Sequence, residues 1–439
     1  MSKNYFFKGI LILTFTGILS RLMGFFYRIF LSHAIGAQGL GIYQLTLPVH
    51  GIVLAGASLG IQAAISRLCA SSLALGKEKD ACNTLLISIV FSTALSFLLS
   101  AAVFGNADFL GSVVLKEPET ADLLRILAFS FPLSSLHSCI NSFYFARKKA
   151  GIPSGIQLLE QTARISSAYV IYLIFLSEGR KITPVIAAGG ALFSEVAAAS
   201  ASLLALAFYF QKIRYRFVKN SFSLSLVREI KRIAVPHSVN RLLLTTLSGI
   251  EMLLIPRRLL LAGLSQADAL SIYGIFTGMA LPLILFPATL TNSASLMLMP
   301  SVASLQALGQ EKRIRFVLRK TMETCFLFGS CCTFFFFLFG NLLGKFLFHS
   351  STAGIYIRTL AFICPFLYTN TMLESILNGL GKPDACLFHN AAGICIRIAF
   401  IFFFIPVLGI QGYFYGMLLS QLILTFLHFI YLNNLTSVS

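Results

Sequence analysis

Long apolar runs, cut by short polar segments, follow one another from end to end of the chain. A helix needs about 20 apolar residues to cross a bilayer. Twelve runs reach that length, at 8–31, 41–67, 82–104, 121–146, 153–177, 184–211, 233–262, 267–304, 321–348, 353–380, 387–408 and 411–433. The first two are joined by a short connection, HAIGAQGLG, from His33. The eighth is long and holds Pro282, Pro287 and Pro300, which should bend it. The pattern predicts an all-α integral membrane protein of about twelve transmembrane helices.

The polar segments are unequal in charge. Arg67, Lys77 and Lys79 follow span two, and Arg147, Lys148 and Lys149 follow span four. Lys212, Arg214, Arg216, Lys219, Arg228, Lys231 and Arg232 lie between spans six and seven. Lys312, Arg313, Arg315, Arg319 and Lys320 lie between spans eight and nine. The alternate loops carry little more than Lys116, Arg180, Lys181 and Lys345. By the positive-inside rule both termini are expected in the cytoplasm, a parity that twelve spans satisfy.

The two halves of the chain repeat one another. LRILAFSFPLSSLHSC from Leu124 aligns without a gap to IRTLAFICPFLYTNTM from Ile357, at an offset of 233 residues. That register pairs Arg125 with Arg358, Pro132 with Pro365, Lys149 with Lys382 and Arg164 with Arg397. At an offset of 230, Arg28, Leu31, Leu40, Ile42 and Tyr43 meet Arg258, Leu261, Leu270, Ile272 and Tyr273. Six spans per repeat is an even number, so both copies enter the membrane in the same direction. Such parallel repeats are a transporter architecture, two bundles around a central site; the plain alternative is a duplicated structural protein. The expected domains are two six-helix bundles, 1–219 and 220–439.

Composition adds that this is no soluble body. The chain is 57% hydrophobic and 11% charged, with a mean hydropathy of +0.83; soluble domains carry about 25% charged residues. The net charge of +18 sits in the loops and is explained by topology, so no nucleic-acid partner is expected. The nine cysteines are odd in number and fall mostly inside apolar runs, as small core residues. Lys3 and Lys8 precede an apolar run that passes through Arg21 without a cleavage motif, which reads as an uncleaved first helix.

An ionisable side chain inside a span costs at least about 2.5 kcal/mol and so usually faces a bundle interior or a wet cavity. Arg125, Glu160, Arg164, Glu195, Glu323, Arg358, Glu374 and Arg397 read as snorkelling groups or intra-bundle ion pairs. Arg21 and Arg28 in span one, with Arg241, Glu251, Arg257 and Arg258 in span seven, are the candidate substrate-binding residues. Arg21 and Arg28 are two turns apart on nearly the same helix face. Arginine suits phosphate, because its fork binds two oxygens and its charge does not titrate away. The alternative is a structural role, with Glu251 neutralising an arginine. No HxxxH or HExxH spacing occurs among the histidines, and GNLLGK from Gly340 lacks a full phosphate loop. No catalytic residue, cofactor or metal site is expected.

The motifs SRLMGFFYRIFL from Ser20, GAQGLGIYQLTLP from Gly36 and AISRL from Ala64 resemble one family, as do NRLLLTTLSGIEMLLIPRRL from Asn240, LSIYGIFTGMALPLILFPATLTNS from Leu270 and ILNGLGKP from Ile376. It is the stage V sporulation protein B branch of bacterial polysaccharide exporters, in the superfamily that also holds the MurJ lipid II flippases and the MATE drug exporters. The resemblance implies two six-helix bundles around a central cavity, which Arg21 and Arg28 would line. It also implies flipping of an undecaprenyl-phosphate-linked oligosaccharide across the bacterial cytoplasmic membrane, in cell-wall or spore-cortex synthesis. The implied partners are the lipid-linked sugar, membrane lipids and a cell-wall polymerase or glycosyltransferase. The match departs in span two, where flippases carry further arginines and PVHGIVLAGASLG offers only His50. Three other readings compete. A MATE-type cation-coupled exporter needs ion-binding carboxylates, and spans one and two have none. A membrane enzyme needs a base or an acidic metal pair, and a scaffold leaves the repeated intramembrane charges without a purpose.

Overall fold

A computed structural model of the protein describes residues 3–213 and 224–437. Within these, side chains are described apart from those of residues 3–13, 224–225, 296, 297, 300, 436 and 437. Lys219, and with it the expected boundary between domains, lies outside the described residues. Every expected span falls on helix. α1 (Lys3–Leu54) passes through a π-helical turn at Ala55–Leu59 into α2 (Gly60–Ala74). α3 (Glu78–Gly105) and the short α4 (Ala107–Phe109) lead to α5 (Thr120–Ala128) and α6 (Ser130–Ala146), which meet at 43°. α7 (Gly151–Ser177), α8 (Val185–Lys212) and α9 (Leu224–Leu261) follow.

Span eight is built from α10 (Gln266–Gly274), a π-helical stretch at Ile275–Ala280, α11 (Leu281–Leu285) and α12 (Ala288–Ala307). The last spans are α13 (Glu311–Phe348), α14 (Ser351–Leu360) with α15 (Cys364–Gly379), α16 (Pro383–Phe403) with α17 (Ile405–Leu408), and α18 (Ile410–Ser437). Side chains help set the boundaries. Ser265 Oγ accepts from the Asp268 amide to cap α10, and Ser350 Oγ accepts from Ala353 to cap α14.

Nine helices among the described residues are long and apolar enough to cross a membrane, or ten if the bent α5–α6 pair is one span. The first of them runs Thr14–Ala74, 61 residues, which would be roughly 90 Å if straight, about three bilayer cores. It takes in most of expected span one and all of span two, and is interrupted at Gly36, whose φ of 67° and ψ of −178° leave the helical region. A positive φ of this kind suits glycine, which has no Cβ to clash. The prolines of span eight occupy two kinds of position. Pro282 opens α11 and Pro287 precedes α12, positions that need no amide hydrogen, but α12 runs through residue 300 unbroken.

Contacts divide the chain into two compact units. The first comprises Met1–Tyr27 and Leu45–Gly249, the second Arg28–Gln44 and Ile250–Ser439. In the first unit α2, α3, α6 and α8 bury Ile65, Leu85, Cys139 and Phe143, and α9 adds Ile230 and Ala234. Gly60 there admits the backbone of α9, for a Cβ on it would run into Ala234 and Ser238. In the second unit the part of α1 beyond Gly36 crosses α10 at Gly41 and Gly274. A Cβ on Gly41 would meet the Leu270 carbonyl, and one on Gly274 the Ala37 carbonyl. Small residues at such crossings let backbones approach, which is the main source of packing energy between helices in lipid.

Candidate functional site

The six candidate residues separate between the units. Arg21 and Arg241 belong to the first, and Arg28, Glu251, Arg257 and Arg258 to the second. On α1, Gly17, Arg21, Gly24 and Arg28 follow the spacing of a single helix face. That face is open at its glycines: a Cβ added to Gly17 or Gly24 would meet no atom within 4 Å. Arg21 is exposed and Arg28 half-buried. On α9, Arg241 is exposed and Arg257 half-buried. The Arg258 guanidinium lies 3.9 Å from the ring centre of Phe402 on α16, a cation–π contact.

Glu251 has a different setting. It is buried on α9, and Arg397 on α16 donates to both of its oxygens, Nε to Oε1 at 2.5 Å and Nη2 to Oε2 at 3.0 Å. Tyr413 on α18 adds its hydroxyl to Oε1 at 2.7 Å, and Phe276 packs edge-on against the tyrosine ring. The carboxylate is thus held by three donors from two other helices. Its expected neutralising role falls to Arg397, not to the arginines nearer in sequence. Arg257 and Arg258 are six and seven positions on, nearly two turns of helix, beyond the one-turn reach of a side-chain pair.

The first unit carries a second polar cluster, outside the candidate set. His137 Nε2 on α6 donates to Glu195 Oε2 on α8 at 2.8 Å, and the Asn141 amide reaches His137 Nδ1 at 3.4 Å. On α7, Arg164 Nη2 donates to Glu160 Oε1 at 2.6 Å and Nε to Ser194 Oγ at 3.2 Å. Gly190 brings α8 close, since a Cβ there would touch the Arg164 carbonyl and the Ala168 methyl. His50 stacks on Phe131 and lies within electrostatic reach of Glu195 and Arg164. The sequence marks Glu160, Arg164 and Glu195 as intramembrane charges. It carries no signal that His137 and His50 join them, because all four helices must first be placed. Among the described residues, no three His, Cys, Asp or Glu side chains are grouped to hold a metal ion.

The family model described as polysaccharide biosynthesis protein matches residues 6–306, well over half of the chain. The protein belongs to this family. Stage V sporulation protein B of Bacillus subtilis (strain 168) is 26% identical, across 98% of this chain and 83% of the relative. The lipid II flippase MurJ of the same organism is 23% identical, across 72% of this chain and 61% of its own length. Among solved structures, an inward-facing multidrug resistance MATE family transporter of the MOP superfamily superposes with a TM-score of 0.73 over 95% of both chains. Its identity of 18% makes that a likeness of fold. The resemblance seen in the motifs is therefore correct. The apolar helices make the chain a multi-pass membrane protein, and its fold is like that of the MATE transporter.

Proposed function

We propose that the protein flips an undecaprenyl-phosphate-linked oligosaccharide across the cytoplasmic membrane of a bacterium, in cell-wall or spore-cortex synthesis. On this reading a glycosyltransferase or polymerase acts on the same carrier. The observation that carries the reading is the open face of α1 set with Arg21 and Arg28. Two arginines in an apolar helix cost about 5 kcal/mol on insertion scales, and a Cβ on Gly24, between them, would meet no atom within 4 Å. A phosphate or pyrophosphate offsets that cost through charge-assisted, two-pronged hydrogen bonds. The relative named for lipid II flipping supports the substrate class, and the one named for sporulation supports the setting.

The test replaces each arginine with alanine and with lysine, measures membrane abundance, and then measures flipping of a lipid-linked sugar or rescue of a flippase-depleted strain. Alanine should abolish transport at normal abundance, and lysine should keep part of it. Normal transport by both alanine variants, or activity that only tracks abundance, rejects the assignment.

The second reading, a MATE-type cation-coupled drug exporter, has one observation in its favour besides the fold. The half-buried Glu160 and the buried Glu195 supply carboxylates in the first unit that spans one and two lack. Drug resistance conferred without any effect on lipid-linked sugars would select it.

The proposed topology is twelve crossings with both termini cytoplasmic. It takes Thr14–Ala74 as two crossings parted at Gly36, and counts α7 with the apolar helices. A reporter fused at Lys219 should then be cytoplasmic and one within residues 107–117 external; both on one side would refute the count.

A further inference from the structure

The repeat register pairs Arg125 with Arg358, and the two side chains meet opposite fates. Arg125 donates to Asp122 at 2.8 Å and to Asp108 at 2.6 Å, so two carboxylates of its own unit neutralise it. Arg358, on α14, has no ion-pair partner among the described residues, and its buried Nε has no hydrogen-bond acceptor. Its stem passes over Gly340 of α13, where a Cβ would collide with its Cγ, and its guanidinium lies 4.8 Å from the ring centre of Phe337. The arginine is therefore held in a fitted place with its charge uncompensated by protein.

It also faces a cleft. A cavity of about 360 Å³ on the second unit is lined by Phe337, Ile355, Arg358, Phe362, Tyr415 and Leu418, among others, so that one charge stands in a largely apolar wall. Phe337, Ile355, Phe362 and Tyr415 are exposed, as befits side chains that meet lipid. Arg358 is roughly 10 Å along the axis from the start of α14, and side chains on a helix lean toward its N-terminus. A long basic side chain at that depth reaches the head-group boundary while its stem stays in the hydrocarbon. A second cavity, at Leu283, Phe286, Cys331 and Phe335, is almost wholly apolar and offers no charged anchor.

We propose that the Arg358 cleft is a binding site for one phospholipid of the surrounding bilayer, its phosphate on the guanidinium and an acyl chain against Phe337, Phe362 and Leu418. The phosphate takes the role that Asp108 and Asp122 take for Arg125. This site is separate from the candidate substrate residues and stands whether or not the flippase reading does. An amphipathic ligand fits both halves of the observation: a bare anion would leave the aromatic wall unused, and a bare hydrocarbon would leave the arginine unpaired in an apolar place.

The experiment is native mass spectrometry of the full-length purified protein, titrated with phosphatidylglycerol, with diacylglycerol of the same chains, and with inorganic phosphate. The wild type should retain one phosphatidylglycerol at low concentration. R358Q should retain about tenfold less, the effect of losing a charge-assisted contact, and R358K an intermediate amount. L418W, which fills the acyl side and leaves the arginine in place, should lose the lipid equally; elution as a folded monodisperse species confirms that either variant is intact. Equal retention by the wild type and R358Q overturns the proposal, as does equal binding of diacylglycerol. Saturation of the site by inorganic phosphate in place of lipid overturns it too.

Discussion

Arg164 and Arg397 occupy one register of the internal repeat, and both are neutralised inside their own unit, but by different means. Arg164 finds Glu160 one turn away on its own helix, with Ser194 on a second helix. Arg397 reaches across to Glu251, 146 residues away in sequence, with Tyr413 completing the group. The arginine is common to both copies and its counter-charge is not. The repeat register places an arginine in each unit, and each unit offsets its charge with whatever acid its own packing brings near. The first solution is local, so α7 carries its neutral pair wherever it goes. The second ties α9, α16 and α18 together and makes their placement depend on one carboxylate.

That difference predicts the largest effect. Glu251→Ala should strip Arg397 of its counter-charge in a buried place, and breaking such a pair costs about 3–5 kcal/mol. Thermal unfolding of the purified protein in one detergent should show a large loss of stability. The double variant E251L/R397M, which removes both charges and keeps the volume, should recover most of it, since an apolar pair often matches a buried ion pair in stability. A double variant as unstable as the single one would show that the cluster is needed for more than charge balance.

The helices were legible because a membrane span announces itself by length and apolarity alone, and all twelve expected runs lie on helix. Partners were less so. The pattern marks residues 28–44 as helix without saying that they pack with the second unit, because apolar helices in lipid choose neighbours by small residues such as Gly41 and Gly274. Pro300 stands inside α12, where a membrane helix accommodates proline when its freed backbone groups find other partners. For the candidate site, charge inside an apolar run sufficed to single out Arg21, Arg28 and Glu251. It could not link Glu251 to Arg397, although the recurrence of arginine at 164 and 397 was the available hint. The open glycine face of α1 was written in the spacing of Gly17, Arg21, Gly24 and Arg28, but its openness is a property of the packing.

The smallest effect sharpens the same comparison from the first unit. Glu160→Gln leaves an amide oxygen that can still accept from Arg164, and Arg164 keeps Ser194. Glu195 stands within electrostatic reach of the same guanidinium, so a second negative charge compensates it when Glu160 is neutral. The loss should be about 1 kcal/mol, the net worth of an ordinary hydrogen bond, against a several-fold larger loss for Glu251→Gln measured in the same detergent. The prediction turns on redundancy: two acids serve Arg164, whereas one serves Arg397. Adding Glu195→Gln to Glu160→Gln should therefore cost more than the two single changes together, because only the double variant leaves the arginine without any counter-charge. Strict additivity would mean that Glu195 serves His137 alone, and equal losses for Glu160→Gln and Glu251→Gln would mean that the local and the bridging solutions hold their units equally.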